Sequence, residues 1–237
     1  MRALILSFCL LITTLSGTDA KAEDAPVKLG VFAAARIVSD YRFNGASNSN
    51  RNPALQAYVH LQYSSGWYGG VFLSEVDFAD PGRTRGELDL YLGRAIHSGS
   101  MEYRAEIMHL SFDEHVPGPT YDFWQGKVLA RRHFGGSMAE LSVTHTPEAP
   151  YAGGAQTQLR FEALHSINTR VRLSALLGQA MRREHPDYFY GSIGLEADWQ
   201  RLTFGIQWAG ADRTRADCLG TDWCKPALVG SVTLRSW

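Results

Sequence analysis

The sequence predicts an all-β fold, a transmembrane antiparallel up-and-down β-barrel of about 12 strands. Three observations carry this. Apolar and polar side chains alternate with period two in one segment after another, the N-terminus has the layout of an export signal, and the connections between segments are short and long by turns.

Met1 to Ala22 opens with Arg2, runs through an apolar core from Ala3 to Ile12 and ends in Ala20-Lys21-Ala22, the small-x-small pattern of a signal-peptidase site. Residues 1–22 are therefore read as a signal peptide and residues 23–237 as the barrel, with Glu23 first in the mature chain. The apolar core is too short to span a bilayer, and Cys9 follows Phe8 rather than a small residue, which argues against a lipoprotein anchor. After Ala22 no stretch approaches the roughly 18 apolar residues of a membrane helix, which excludes a helical inner-membrane protein. The chain has 23 basic and 24 acidic residues; with Arg2, Lys21 and Asp19 removed, the mature net charge is near −2, and nothing points to nucleic acid. Cys218 and Cys224 remain, five residues between them in a polar stretch, and in an oxidising compartment they are expected to form a disulfide. A metal pair is the rival reading, and no other Cys or close His supports it.

Asn52 to Asp77 is the clearest segment. Leu55, Ala57, Val59, Leu61 and Tyr63 alternate with Gln56, Tyr58, His60 and Gln62; Ser64 to Gly66 break the run, and Trp67, Gly69, Val71 and Leu73 start a second apolar face opposite Tyr68, Gly70 and Ser74. This is a hairpin. Ahead of it, a first strand over about Val27 to Phe43 sets Val27, Leu29, Val31, Ala33, Ala35 and Ile37 against Lys28, Gly30, Ala34 and Arg36. After it, Leu88, Leu90, Leu92 and Ile96 oppose Glu87, Asp89 and Tyr91, and Met101, Tyr103, Ala105 and Ile107 oppose Glu102, Arg104 and Glu106. The sixth strand, Tyr121 to Arg132, is the least regular, with Trp124, Val128 and Ala130 opposite Gln125, Lys127 and Arg131. The seventh and eighth set Ala139, Leu141 and Val143 against Glu140, Ser142 and Thr144, then Leu159, Phe161 and Ala163 against Gln158, Arg160 and Glu162. Val171, Leu173, Ala175 and Leu177 oppose Arg172 and Ser174; Phe189, Ile193, Leu195, Ala197 and Trp199 oppose Tyr190, Ser192, Glu196 and Asp198. Leu202, Phe204, Ile206 and Trp208 against Thr203 and Gln207 make the eleventh, and Ala227 to Trp237 the twelfth.

The breaks at 64–66, 97–100, 133–137, 165–170 and 199–201 are short, and those at 44–52, 79–86, 113–120, 147–156, 182–187 and 210–225 are longer. Tight periplasmic turns and longer outer loops are the asymmetry of an outer-membrane barrel, and an even strand count brings both termini to one side. A soluble sandwich would be expected to include continuous apolar strands, and few appear. Aromatics gather at both strand ends: Tyr63, Trp67, Phe134 and Trp199 by the short turns, and Tyr41, Phe43, Phe78, Phe112, Tyr121, Tyr188 and Trp208 by the long loops. They are read as two interfacial girdles.

Ser39-Asp40-Tyr41-Arg42-Phe43-Asn44-Gly45-Ala46-Ser47, then Pro53-Ala54-Leu55-Gln56, Ser65-Gly66-Trp67-Tyr68-Gly69-Gly70, Ser74-Glu75-Val76-Asp77-Phe78 and Glu87-Leu88-Asp89-Leu90-Tyr91-Leu92-Gly93 resemble the N-terminal pattern of the TorF family of porin-like proteobacterial outer-membrane barrels. The resemblance covers roughly Ala33 to Gly93. Asn44 stands where that family usually has Arg, Trp237 resembles the C-terminal aromatic of outer-membrane barrels, and Arg235 occupies a place usually apolar. The resemblance implies an outer-membrane barrel with a transport role and offers no catalytic residues to carry over.

Asp40, Arg42 and Asn44 share one face at the outer end of the first strand, and Gly45 permits a positive φ, so the segment is read as a hydrogen-bonded corner or a ligand-reading rim. The candidate lumen-lining residues are Arg36, Arg104, Lys127, Arg131, Arg160 and Arg172 with Glu87, Asp89, Glu102, Glu106, Glu140, Glu162, Glu196 and Asp198. Neither sign dominates. They are read either as cross-lumen ion pairs filling a structural barrel or as charge ladders of a narrow pore for passive diffusion of small polar solutes or ions. A lipid hydrolase is the alternative of another class: His109 and Ser111 share the outward face of the fifth strand, where His can deprotonate Ser. The Phe112-Asp113-Glu114 that follows lacks the Asn-Gly of outer-membrane phospholipases. No cofactor or metal is expected. Expected partners are outer-membrane lipids, lipopolysaccharide at the loop residues Arg51, Arg83, Arg85, Arg182, Arg183, Arg213 and Arg215, and the outer-membrane assembly machinery.

Overall fold

The computed structural model of the chain describes residues 28–81, 83–113, 120–150 and 153–236; the expected signal peptide and Trp237 lie outside them. The described strands are β1 (Leu29–Val38), β2 (Arg42–Phe43), β3 (Ala46–Ser47), β4 (Ala54–Tyr63), β5 (Trp67–Glu75), β6 (Gly86–Ser98), β7 (Met101–Phe112), β8 (Phe123–Phe134), β9 (Ser137–Thr146), β10 (Gln156–Ser166), β11 (Val171–Arg182), β12 (Tyr188–Trp199), β13 (Leu202–Ala211) and β14 (Ala227–Arg235). Twelve of them close one barrel in which each strand pairs antiparallel with its neighbours in sequence, and β1 pairs with both β4 and β14. The expected strand count holds. β2 and β3 form a two-residue ladder of their own.

Period two explains why the sheet closes this way round. Ile37, Leu177 and Leu228, on the outward phase, are 58%, 60% and 61% exposed, while Glu87 and Glu140, on the inward phase, are 3% and 4% exposed. Water would penalise such a distribution; lipid requires it, and only a closed sheet satisfies the backbone there. The strands run 9 to 13 residues, the length that crosses a bilayer at a tilt. The closing seam is short, from Ala34 opposite Arg235 to Val38 opposite Ser231, and is extended by Ser236, whose amide donates to the Ala33 carbonyl while its hydroxyl accepts from the Ala33 amide.

Two expectations are corrected. The first strand does not run to Phe43: β1 stops at Val38, and the segment from Ser39 to Pro53 folds back into the barrel mouth around β2 and β3. The outer aromatic girdle is also smaller than expected. Trp208 faces outward, joined by Trp124 and Phe189, which are 54% and 50% exposed. Phe112 and Tyr188, however, fall on the inward phase of β7 and β12; Phe43 of β2 and the loop residues Phe78 and Tyr121 line the mouth, and Tyr41 stands beside Glu87. The inner girdle stands as expected, with Tyr63, Trp67, Phe134 and Trp199 all outward. Arg94 lies over Trp67 at 5.4 Å, a pairing suited to the headgroup level.

Candidate functional site: the lumen and its outer mouth

All the candidate lumen residues fall on the inward phase of their strands. On one wall Glu102 takes Arg104 Nε (2.5 Å), Arg131 Nη1 (3.3 Å) and His97 Nε2 (3.2 Å), and Glu140 takes Arg131 Nη2 (2.5 Å) and Lys127 (3.5 Å). Glu106 stands opposite Lys127 in the β7–β8 register. On another wall Arg160 pairs with Glu162 (2.6 Å), and Arg172 bridges Glu196 (3.0 Å) and Asp198. Arg235 also reaches Asp198, over Thr203, whose hydroxyl donates to the same carboxylate at 2.7 Å. Sequence reading missed this part in the lumen for Arg235; its phase with Ser231 and Thr233 was the available signal. Arg36 stands near Glu196, with Nε buried and, among the described residues, without a hydrogen-bond partner. Glu87 and Asp89 stay buried near the outer end of β6, where the Tyr41 hydroxyl bonds Glu87.

The segment from Ser39 to Pro53 is a hydrogen-bonded corner. Arg42 Nε donates to Asp40 (2.8 Å), and Arg42 Nη1 approaches the carbonyls of Gly45 (2.9 Å), Lys225 (2.9 Å) and Ala209 (3.3 Å). Asp40 accepts from the Ser47 hydroxyl at 2.6 Å. Gly45 has φ +81° and packs so closely that an added Cβ would lie 2.4 Å from the Gly210 carbonyl oxygen. The last long loop holds this corner from above: the Ser47 amide donates to the Trp223 carbonyl (3.0 Å) and Trp223 Nε1 to Asn50 (2.9 Å). That loop carries the expected Cys218–Cys224 disulfide.

Phe43 and Asn44 therefore sit between two cavities. The outer one, about 280 Å³, is lined by Phe43, Phe78, Phe112, Tyr121, Phe123 and Tyr188, with Arg213 among its polar residues. The inner one, about 360 Å³, includes Arg36, Arg42, Arg160, Glu162 and Glu196. The aromatic vestibule and the charged chamber share Phe43 and Asn44 in their linings.

Among the described residues no hydrogen bond joins His109 to Ser111. The Ser111 hydroxyl donates to the Leu88 carbonyl (2.9 Å), and the His109 ring packs on Trp124 with centroids 4.5 Å apart. Among the described residues no group of three or more His, Cys, Asp or Glu is placed to hold a metal ion.

A twelve-stranded barrel with an apolar belt outside and charges inside defines the porin-type class of outer-membrane barrel. The chain belongs to the Gcw_chp family, described as a bacterial protein of unknown function, which it matches over residues 21–228. Solved structures with this fold include the KdgM porin, at TM-score 0.60 and 5% identity over 87% of this chain and 98% of that one. The KdgM porin in complex with disordered oligogalacturonate aligns at TM-score 0.58 and 6% identity, covering 87% and 98%. The COG4313 outer membrane channel from Pseudomonas putida F1 aligns at 0.50 and 9%, covering 93% and 100%. At these identities the likeness establishes the fold. No curated protein matches the sequence.

Proposed function

We propose that the mature chain, from Glu23, is an outer-membrane pore of the TorF type through which small polar solutes or ions diffuse passively. The observation that carries this reading is the course of the lumen ion pairs. Among the described residues every pair between barrel strands joins neighbours within a strand or on adjacent strands, apart from Arg235, which reaches over β13 to Asp198; the pair of Arg42 with Asp40 belongs to the corner. Pairs that follow the wall do not themselves bridge the axis, as cross-lumen pairs would. The corner at Phe43 and Asn44 is the constriction such a pore would have. Exposed loop arginines such as Arg183, 78% exposed, are the residues to meet lipopolysaccharide phosphates, and the outer-membrane assembly machinery is the partner in insertion. The test is conductance of refolded protein in a planar bilayer, with ion selectivity measured across a salt gradient. Stepwise single channels are expected; a folded protein that never conducts would return the lumen charges to a structural role.

A further inference from the structure

The outer vestibule differs from the lumen below it in both surface and charge. Its rings lie against one another: Phe78 packs on Tyr121 (centroids 4.6 Å apart) and on Phe112 (5.5 Å), and Phe112 on Tyr121 (5.9 Å). These side chains are half-exposed, although they stand inside the mouth, where lipid does not reach them. An apolar concavity open to water is the usual character of a small-molecule site, and its 280 Å³ lies near the lower end of the common range of about 300–1,000 Å³.

The charge is as distinctive. Arg182 and Arg213 both lie over the Tyr188 ring, at 4.9 and 5.0 Å. In the lumen Arg104, Arg131, Arg160, Arg172 and Arg235 are each paired with a carboxylate. Among the described residues neither Arg182 nor Arg213 has a carboxylate within ion-pair distance. Arg182 Nε donates to the Pro186 carbonyl (2.9 Å) and Arg213 to the Asp217 carbonyl, while the Asp187 and Asp217 carboxylates act on Arg182 only at longer range. Two guanidinium groups side by side, with the Asp187 and Asp217 carboxylates acting only from beyond ion-pair distance, leave room for an anion, and Arg213 itself lines the cavity.

We infer that the vestibule is a binding site for small single-ring aromatic carboxylates, the ring lying among Phe78, Phe112 and Tyr121 and the carboxylate turned to Arg213. This deepens the pore reading, since such a site above the constriction at Phe43 and Asn44 would load the solute that passes. A neutral aromatic gains only the ring contacts, and an aliphatic carboxylate only the charge.

The test is calorimetric titration of the folded, detergent-solubilised protein with benzoate, benzyl alcohol and acetate. Benzoate should bind saturably, one per chain, at least about tenfold more tightly than either of the others. Arg213→Gln should weaken benzoate about tenfold and leave benzyl alcohol unchanged, a loss of about 1.4 kcal/mol. Phe78→Ala should weaken both aromatics. Arg213 also bonds the Asp217 carbonyl, so Arg213→Lys serves as a control that keeps the charge and should retain most of the benzoate affinity. Benzoate binding no tighter than acetate, or unaffected in Arg213→Gln, overturns the inference. Potassium chloride conductance of the same preparations reads the pore separately, so a failure of one reading is not mistaken for a failure of the other.

Discussion

Arg42 decides where the first loop sits. Its side chain is 3% exposed beside Asp40, and its carbonyl acceptors at Ala209 and Lys225 lie 167 and 183 residues away in sequence. The spacing of Asp40, Arg42 and Gly45 makes a corner legible in the sequence; those two distant acceptors, which draw the corner inward, are not. Removing one partner of a buried pair leaves the other charge uncompensated, at about 3–5 kcal/mol. Arg42→Ala should therefore destabilise the protein by about that amount in urea unfolding and enlarge single-channel conductance as Phe43 and Asn44 withdraw. Arg42→Lys should recover little, because an ammonium lacks the planar fork. An Arg42→Ala protein with unchanged stability and conductance would refute the constriction. Ser111 gives the opposite case: its hydroxyl is spent on the Leu88 carbonyl, so Ser111→Ala should leave conductance unchanged, and purified protein should release no fatty acid from phospholipid. Release that disappears in the Ser111 variant would instead establish the hydrolase.

Loops and strands differed in how much the sequence disclosed of them. Strand phase was legible because each residue step reverses the face, so Glu102, Arg104 and Glu106 announce themselves as one inward row. Of the aromatics on the long-loop side Trp208 faces lipid as expected and the others do not, because β1 ends at Val38 and because ring type alone does not distinguish the lipid face from the mouth. The phase of Phe112 and Tyr188 was the overlooked cue. The last long loop was legible only through its two cysteines, yet it is this loop that holds the first one. Its Asp217 and Asp222 carboxyls sit below their ordinary range, Asp217 chiefly through the Thr214 hydroxyl and Asp222 chiefly through Lys225, so these contacts persist at neutral pH and are lost as pH falls through the lowered values. The disulfide closes a short loop and should contribute on the order of 2 kcal/mol. Replacing both cysteines with Ser should expose the loop to protease on intact cells and leave the barrel folded; equal resistance with and without the disulfide would mean that it does not secure the loop. Single cysteines at Arg83, Glu148 and Glu184 should react with an impermeant reagent on intact cells, and those at Ser65 and Gly99 should not. The reverse pattern would invert the topology.

Closure of the barrel gathers most of the lumen ion pairs into two networks, one on β7 to β9 and one on β11 to β14. Glu102 on β7 holds Arg104 and Arg131, whereas Arg172 on β11 holds Glu196 and Asp198, so the same kind of network is centred on an acid in one place and on a base in the other. The even balance of signs was plain from the sequence; whether the pairs crossed the lumen was not, because that depends on register and on which strands meet. If ions pass between these networks, removing either centre leaves an excess of the opposite sign facing the path. Glu102→Gln leaves two guanidinium groups with one carboxylate fewer and should shift selectivity toward anions. Arg172→Gln leaves two carboxylates short of a cation and should shift it toward cations. Both shifts should be largest at low salt, since the screening length falls from about 10 Å at 0.1 M to about 3 Å at 1 M. Reversal potentials across a salt gradient measure them directly. Opposite displacements in the two variants would place the current between the networks, while unchanged reversal potentials in both, with conductance retained, would mean that ions take a path away from these charges and would overturn the assignment of the lumen as the pore.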